Sequence, residues 1–116
     1  VTTVPSTATA ATGTATGSAG TFTQLMSDNV FGTKTFTLSI GQPVTFNLVN
    51  NGKVVHNMRI ADAKGSYDSS QSAVSVPELV PAGKTGTLTW TPTAAGTYDF
   101  RCDVHPDQMT GTITVK

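Results

Sequence analysis

The sequence predicts an all-β domain, an antiparallel Greek-key β-sandwich of about seven to eight short strands. Three observations predict it. Apolar side chains recur at every second position over short runs, the period of a half-buried strand. Clusters of Gly, Pro and Asn punctuate those runs at short intervals. Threonine, whose branched Cβ suits a pleated surface, is abundant, and no stretch carries a helical stripe of useful length.

The first twenty residues, VTTVPSTATAATGTATGSAG, hold almost nothing but Thr, Ala, Ser and Gly. With two valines as their only large apolar side chains, they cannot offset their own ordering entropy, and residues 1 to 20 read as a tail or linker. As a flexible coil this segment reaches roughly 25 Å, or about 65 Å fully stretched, enough to tether a small domain to a membrane or a neighbour. The domain proper is expected over residues 21 to 116.

Along that domain Phe36, Leu38 and Ile40 alternate with polar residues up to a turn at Gly41-Gln42-Pro43. Val44, Phe46 and Leu48 alternate in the next strand, which ends at Asn50-Asn51-Gly52. Residues 55 to 60 follow as a strand candidate, and residues 61 to 80, polar and irregular, read as an excursion over a sheet edge. Pro81-Ala82-Gly83 precedes a strand over residues 85 to 90. A turn at Thr93-Ala94-Ala95-Gly96 leads to a strand ending at Cys102, and residues 110 to 115 make the last. Trp90 and Tyr98, placed on strands, are expected to pack in the core.

Composition excludes several roles. Lys plus Arg and Asp plus Glu each number seven, so the formal charge is zero. Nucleic-acid binding needs clustered Lys and Arg to neutralise phosphates, and none are clustered here. No run approaches the roughly 18 apolar residues of a membrane span, and no secretory leader is visible. One cysteine cannot form an intrachain disulfide, so Cys102 is a buried small hydrophobe, a reactive thiol or a metal ligand.

The stretch RCDVHPDQM, residues 101 to 109, holds the single cysteine, one of two histidines and one of three methionines. Cys102, His105 and Met109 therefore ride one loop between the last two strands. A thiolate, an imidazole and a thioether form a soft donor set; zinc and hard cations rarely use thioethers, whereas copper accepts all three together. A trigonal copper site of that kind needs a second histidine. His56 is the one other in the chain, and in a sandwich its strand can lie beside the last loop. Taken singly, each residue has a duller reading, as core filler or a hydrogen-bonded side chain. Taken together, the clustering favours copper.

These residues resemble the cupredoxins, the small type 1 blue copper proteins, and within them plastocyanin and amicyanin. The resemblance rests on GQPVTFNLVNNGKVVHNM (41 to 58), PAGKTGTLTWTPTAAGTYDFRC (81 to 102) and CDVHPDQMTGTITV (102 to 115), in the family's order. It implies that His56, Cys102, His105 and Met109 hold one copper ion, and that Asn57 ties down the residue after the cysteine. That residue is usually Ser or Thr; here it is Asp103, which an Asn amide can also hold. Two residues separate Cys102 from His105, as in plastocyanin and amicyanin. Three separate His105 from Met109, between amicyanin's two and plastocyanin's four. Where plastocyanin has a proline two places after its cysteine, this chain has Val104, whose backbone N–H is expected to give the sulfur a second hydrogen bond.

The resemblance further implies a one-electron carrier rather than an enzyme, shuttling between redox partner proteins outside the cytoplasm, in a periplasm or at a cell surface. His56 is expected to be the buried ligand. His105, beside Pro106, is expected to be the exposed edge through which electrons leave and around which partners dock on an apolar patch. A monomer is expected. Two rivals fit the same sequence: a copper-binding module without redox turnover, and a metal-free immunoglobulin-like adhesion domain.

Overall fold

The described residues are 13–17 and 20–116 of a computed structural model. Ten strands run through them: β1 (Gly13–Gly17), β2 (Gly20–Ser27), β3 (Val30–Phe31), β4 (Thr33–Leu38), β5 (Val44–Asn50), β6 (Arg59–Ile60), β7 (Ala73–Val74), β8 (Thr85–Trp90), β9 (Gly96–Arg101) and β10 (Thr110–Val115). They form a β-sandwich, with one sheet in the order β1-β4-β10-β9-β6-β7 and the other in the order β3-β2-β5-β8. Most of the predicted tail lies outside the described residues, but residues 13–17 within it make β1, which pairs in parallel with β4.

The period-two reading holds where it was strongest. In β5 the side chains of Val44, Phe46, Leu48 and Asn50 are buried while Asn47 faces water. Burying only alternate residues fixes the register, since a one-residue slip would turn the apolar set outward. The two inner faces meet through aromatic rings. Phe36 packs edge-on against Phe22 and Phe46, with centroids 5.5 and 5.0 Å apart, joining the sheets. Phe100 extends this cluster to Phe31, 5.1 Å away, and Phe36, 5.9 Å away. Trp90 and Tyr98 pack against each other at the core's margin, and the Tyr98 hydroxyl donates to the Ala94 carbonyl at 2.6 Å.

The sheets are mixed rather than wholly antiparallel. β4 runs parallel to β1 and β10, and β2 runs parallel to β5. The turn at Gly41 explains this. The turn is there, with Gly41 at φ 80°, but it carries the chain from one sheet to the other instead of closing a hairpin. β4 and β5 therefore find partners that are distant in sequence, and only a tight hairpin forces neighbours to be antiparallel.

Of residues 55 to 60, Arg59 and Ile60 alone form a strand; His56 instead makes an isolated bridge with Val80, exchanging both backbone hydrogen bonds. The excursion after residue 60 contains β7 and is organised by Asp62. That carboxylate accepts backbone N–H bonds from Lys64 and Ser66 and the Ser69 hydroxyl at 2.6 Å.

One ladder positions the end of the molecule that matters. β9 pairs with β10 so that Arg101 faces Thr110, leaving residues 102 to 109 as the connecting loop. β9 also pairs with β6, with Arg101 opposite Arg59. Continuing that register places residues 57 and 103 opposite one another and His56 beside the loop.

Candidate metal centre

The loop between β9 and β10 is closed by its own backbone. The Cys102 N–H donates to the Met109 carbonyl at 2.9 Å, and the His105 carbonyl accepts from Gln108 and Met109 at 3.2 and 3.0 Å. Turning twice in eight residues sends Cys102 and Met109 inward, both fully buried, and leaves His105 partly exposed between Val104 and Pro106, which face solvent.

Three predicted ligands converge. Cys102 Sγ lies 3.9 Å from His56 Nδ1 and 3.8 Å from His105 Nδ1, and the three donor atoms all fall within 4.8 Å of one another. Their rings tilt together, with centroids 5.0 Å apart. These spacings test whether a metal fits. With bonds of about 2.3 Å to sulfur and about 2.0 Å to nitrogen, a trigonal centre needs S···N separations of roughly 3.8 Å. The two S···N distances match that requirement. The fourth predicted residue, Met109, is buried in the same core cluster as Cys102.

The surroundings hold the donors in place. Asn57 is wholly buried and interlocks with Asp103: the Asp103 N–H donates to Asn57 Oδ1 at 2.7 Å, and Asn57 Nδ2 donates to Asp103 Oδ2 at 3.0 Å. The Asn57 backbone N–H points at Cys102 Sγ from 3.4 Å. The amide expected from Val104 makes no hydrogen bond to the sulfur among the described residues. The turn closed by the His105 N–H on the Cys102 carbonyl, at 3.2 Å, carries residue 104 through its corner instead.

Sequence reasoning missed four residues here. Arg59 and Arg101 both reach Asp103, through Nε at 2.8 and 3.2 Å, and Arg59 also pairs with Glu78 at 3.1 Å. Arg101 lies 4.0 Å over the Tyr67 ring. Burial pushes the Asp103 carboxyl up, but hydrogen bonds from Asn57, Arg59 and Arg101 outweigh it and hold it below the usual carboxylate range. Asn50 donates from Nδ2 to the carbonyls of Val54 and Val80, both at 2.9 Å, and so shapes the loop that delivers His56. Asp28 approaches His56 Nε2 to 3.2 Å. Arg101 carried one signal, its place directly before Cys102; Asn50 stood in a turn, and nothing beside Arg59 or Asp28 marked either of them.

The comparisons agree with this geometry. By structure, the chain is similar to a dithionite-reduced auracyanin from Roseiflexus castenholzii, with 25% identity and a TM-score of 0.72 over 86% of this chain and 99% of that one. It is also similar to auracyanin A, a "blue" copper protein from Chloroflexus aurantiacus, with 24% identity and a TM-score of 0.67 over 83% of this chain and 99% of that one. An amicyanin variant in its oxidised form is 20% identical, with a TM-score of 0.59 over 82% of this chain and 81% of that one. A sequence search of curated proteins finds no match. The cupredoxin-like domain model matches residues 1–115, and with nearly its whole length covered the chain belongs to the cupredoxin-like family.

Proposed function

We propose that this protein is a one-electron carrier with a single type 1 copper site held by His56, Cys102, His105 and Met109. The observation that carries the reading is the convergence of a buried thiol and two imidazole nitrogens at spacings suited to a trigonal centre. Bound copper would supply a Cu(II)/Cu(I) couple. The chain's own contribution is to keep the donors still. His56 is held by its bridge to Val80, Cys102 by its N–H on the Met109 carbonyl, and Asn57 with Asp103 pins the loop to the segment beside it. Donors that barely move between two charge states leave little to reorganise when an electron passes. The soft thiolate and thioether suit the reduced state, and the imidazoles suit the oxidised one.

His105, the one ligand reaching the surface, is the route for electrons in and out. Val104 and Pro106 flank it, and Val54 is exposed on the loop leading to His56. Redox partner proteins dock on this apolar end. With seven cationic and seven anionic side chains, steering by net charge is weak. Raising the ionic strength from low to physiological is therefore expected to change the electron-exchange rate by less than about threefold, read by stopped flow. The protein works outside the cytoplasm as a monomer, and residues 1 to 12, the part of the Thr- and Ala-rich segment ahead of β1, are its tether. Both histidines are committed to one site, leaving none for a second copper centre of an oxidase or reductase.

The test is repeated voltammetric cycling with the copper content measured before and after. A reversible wave with copper retained is expected. Loss of copper on reduction would assign the site to copper storage or sensing instead.

A further inference from the structure

Behind His56, on the side away from Cys102, stands a carboxylate that the copper site does not use as a ligand. Nδ1 of the ring faces Cys102 Sγ, while Nε2 lies 3.2 Å from Asp28 Oδ1. Asp28 sits in the turn between β2 and β3, where Asn29 takes the left-handed conformation with φ 68°. The same Asp28 oxygen accepts the Lys53 backbone N–H at 2.9 Å, which fastens the carboxylate to the loop leading into His56.

Glycine at position 52 leaves the passage between the two groups. A Cβ there would collide with Asp28 Oδ1 and stand 2.8 Å from His56 Nε2. The side chain is missing where the carboxylate must pass to reach the ring. The ring itself is fully buried, whereas the Asp28 side chain is 44% exposed, so Asp28 joins a buried donor to the protein surface.

We propose that Asp28 is a positioning residue for the metal centre, accepting the Nε2–H of His56, fixing Nδ1 as the free donor atom and favouring the more highly charged copper state. The electronic part of this inference rests on the copper reading above; the positional part does not. A neutral imidazole carries one proton on one of two nitrogens, and the hydrogen bond made at one nitrogen decides which lone pair is left for a metal. A carboxylate acceptor also makes the ring a stronger electron donor. Its negative charge stabilises Cu(II) over Cu(I), although its exposure lets solvent screen part of that effect.

Two readouts test this. The first is nitrogen-15 NMR of the metal-free protein at mildly alkaline pH, which reports the His56 tautomer. Wild type is expected to show Nε2–H, and Asp28→Leu a mixture or the Nδ1–H form. The second is the reduction potential of copper-loaded Asp28→Asn, in which the acceptor oxygen stays and the charge goes. Its preference for Cu(II) is expected to fall about tenfold, a rise of roughly 59 mV.

Gly52→Ala approaches the same contact from the other side with the carboxylate still present, and should shift the tautomer as Asp28→Leu does. A wild-type Nδ1–H tautomer, or a tautomer unchanged in both Asp28→Leu and Gly52→Ala, overturns the positional claim. A potential preference altered less than twofold in Asp28→Asn overturns the electronic one. If wild type binds no copper through Cys102, the metal reading falls, while the tautomer measurement still decides what Asp28 does to His56.

Discussion

Phe100→Ala is expected to lower the free energy of unfolding by about 3–5 kcal/mol. Phe100 is wholly buried, and its ring touches Phe31 and Phe36 across the meeting of the two sheets. The ring lies over Gly111, its partner in the β9–β10 ladder, and residues directly opposite in an antiparallel pair share a face. A Cβ at position 111 would run into the Phe100 ring and stand 2.5 Å from the Lys34 carbonyl. The glycine therefore makes the space that the phenyl ring fills. Gly111→Ala should destabilise by about 1–3 kcal/mol through overpacking. Because both changes act on one space, Phe100→Leu combined with Gly111→Ala should lose measurably less than the sum of the two. Urea unfolding with an unchanged m-value reads these variants, single Phe100→Leu included. A loss below about 1 kcal/mol for Phe100→Ala would contradict this account of the core.

The second large effect is expected from Asn57→Ala. The side chain is fully buried and makes two hydrogen bonds to Asp103, one to its backbone and one to its carboxylate. Removing it leaves the Asp103 N–H without its acceptor and frees the ligand loop from the segment that carries His56. The expected cost is about 2–3 kcal/mol of stability, because one of the lost bonds is to a charged group. Copper affinity should fall by roughly ten- to a hundredfold, the usual penalty when groups that orient ligands are lost. Arg59 and Arg101 still hold Asp103 in this variant, so the loop should loosen rather than detach. An unchanged melting temperature with unchanged copper affinity would sink the idea that Asn57 and Asp103 pin the site.

The strands were legible because alternation is a local signal. Val44, Phe46 and Leu48 declare an inward face whatever their partners are. Which strands pair is not local, and the turn at Gly41 shows why: a tight turn looks the same whether it closes a hairpin or switches sheets. The ligand cluster was legible for a different reason, since Cys102, His105 and Met109 share one short loop and His56 is the single remaining histidine. The Asn57–Asp103 tie followed from chemistry once the strands on either side were adjacent. Asp28 and Gln24 were not legible. Gln24 is buried, donating from Nε2 to the Thr33 carbonyl and accepting the Thr33 N–H, so it acts as a piece of backbone at a corner. Each draws its role from a partner reached only after the chain has folded, and nothing in the residues beside them records that. The second donor expected at the sulfur is not among the hydrogen bonds of the described residues, where the His105 N–H closes a turn on the Cys102 carbonyl around residue 104.

The most direct test of the central claim is the visible absorption spectrum of the protein with one equivalent of Cu(II), before and after ascorbate, beside the Cys102→Ser variant. The account predicts an intense thiolate-to-copper band that bleaches on reduction, returns on reoxidation and is absent from the variant. A protein that binds Cu(II) with no such band, or whose spectrum the serine substitution leaves unchanged, would contradict it.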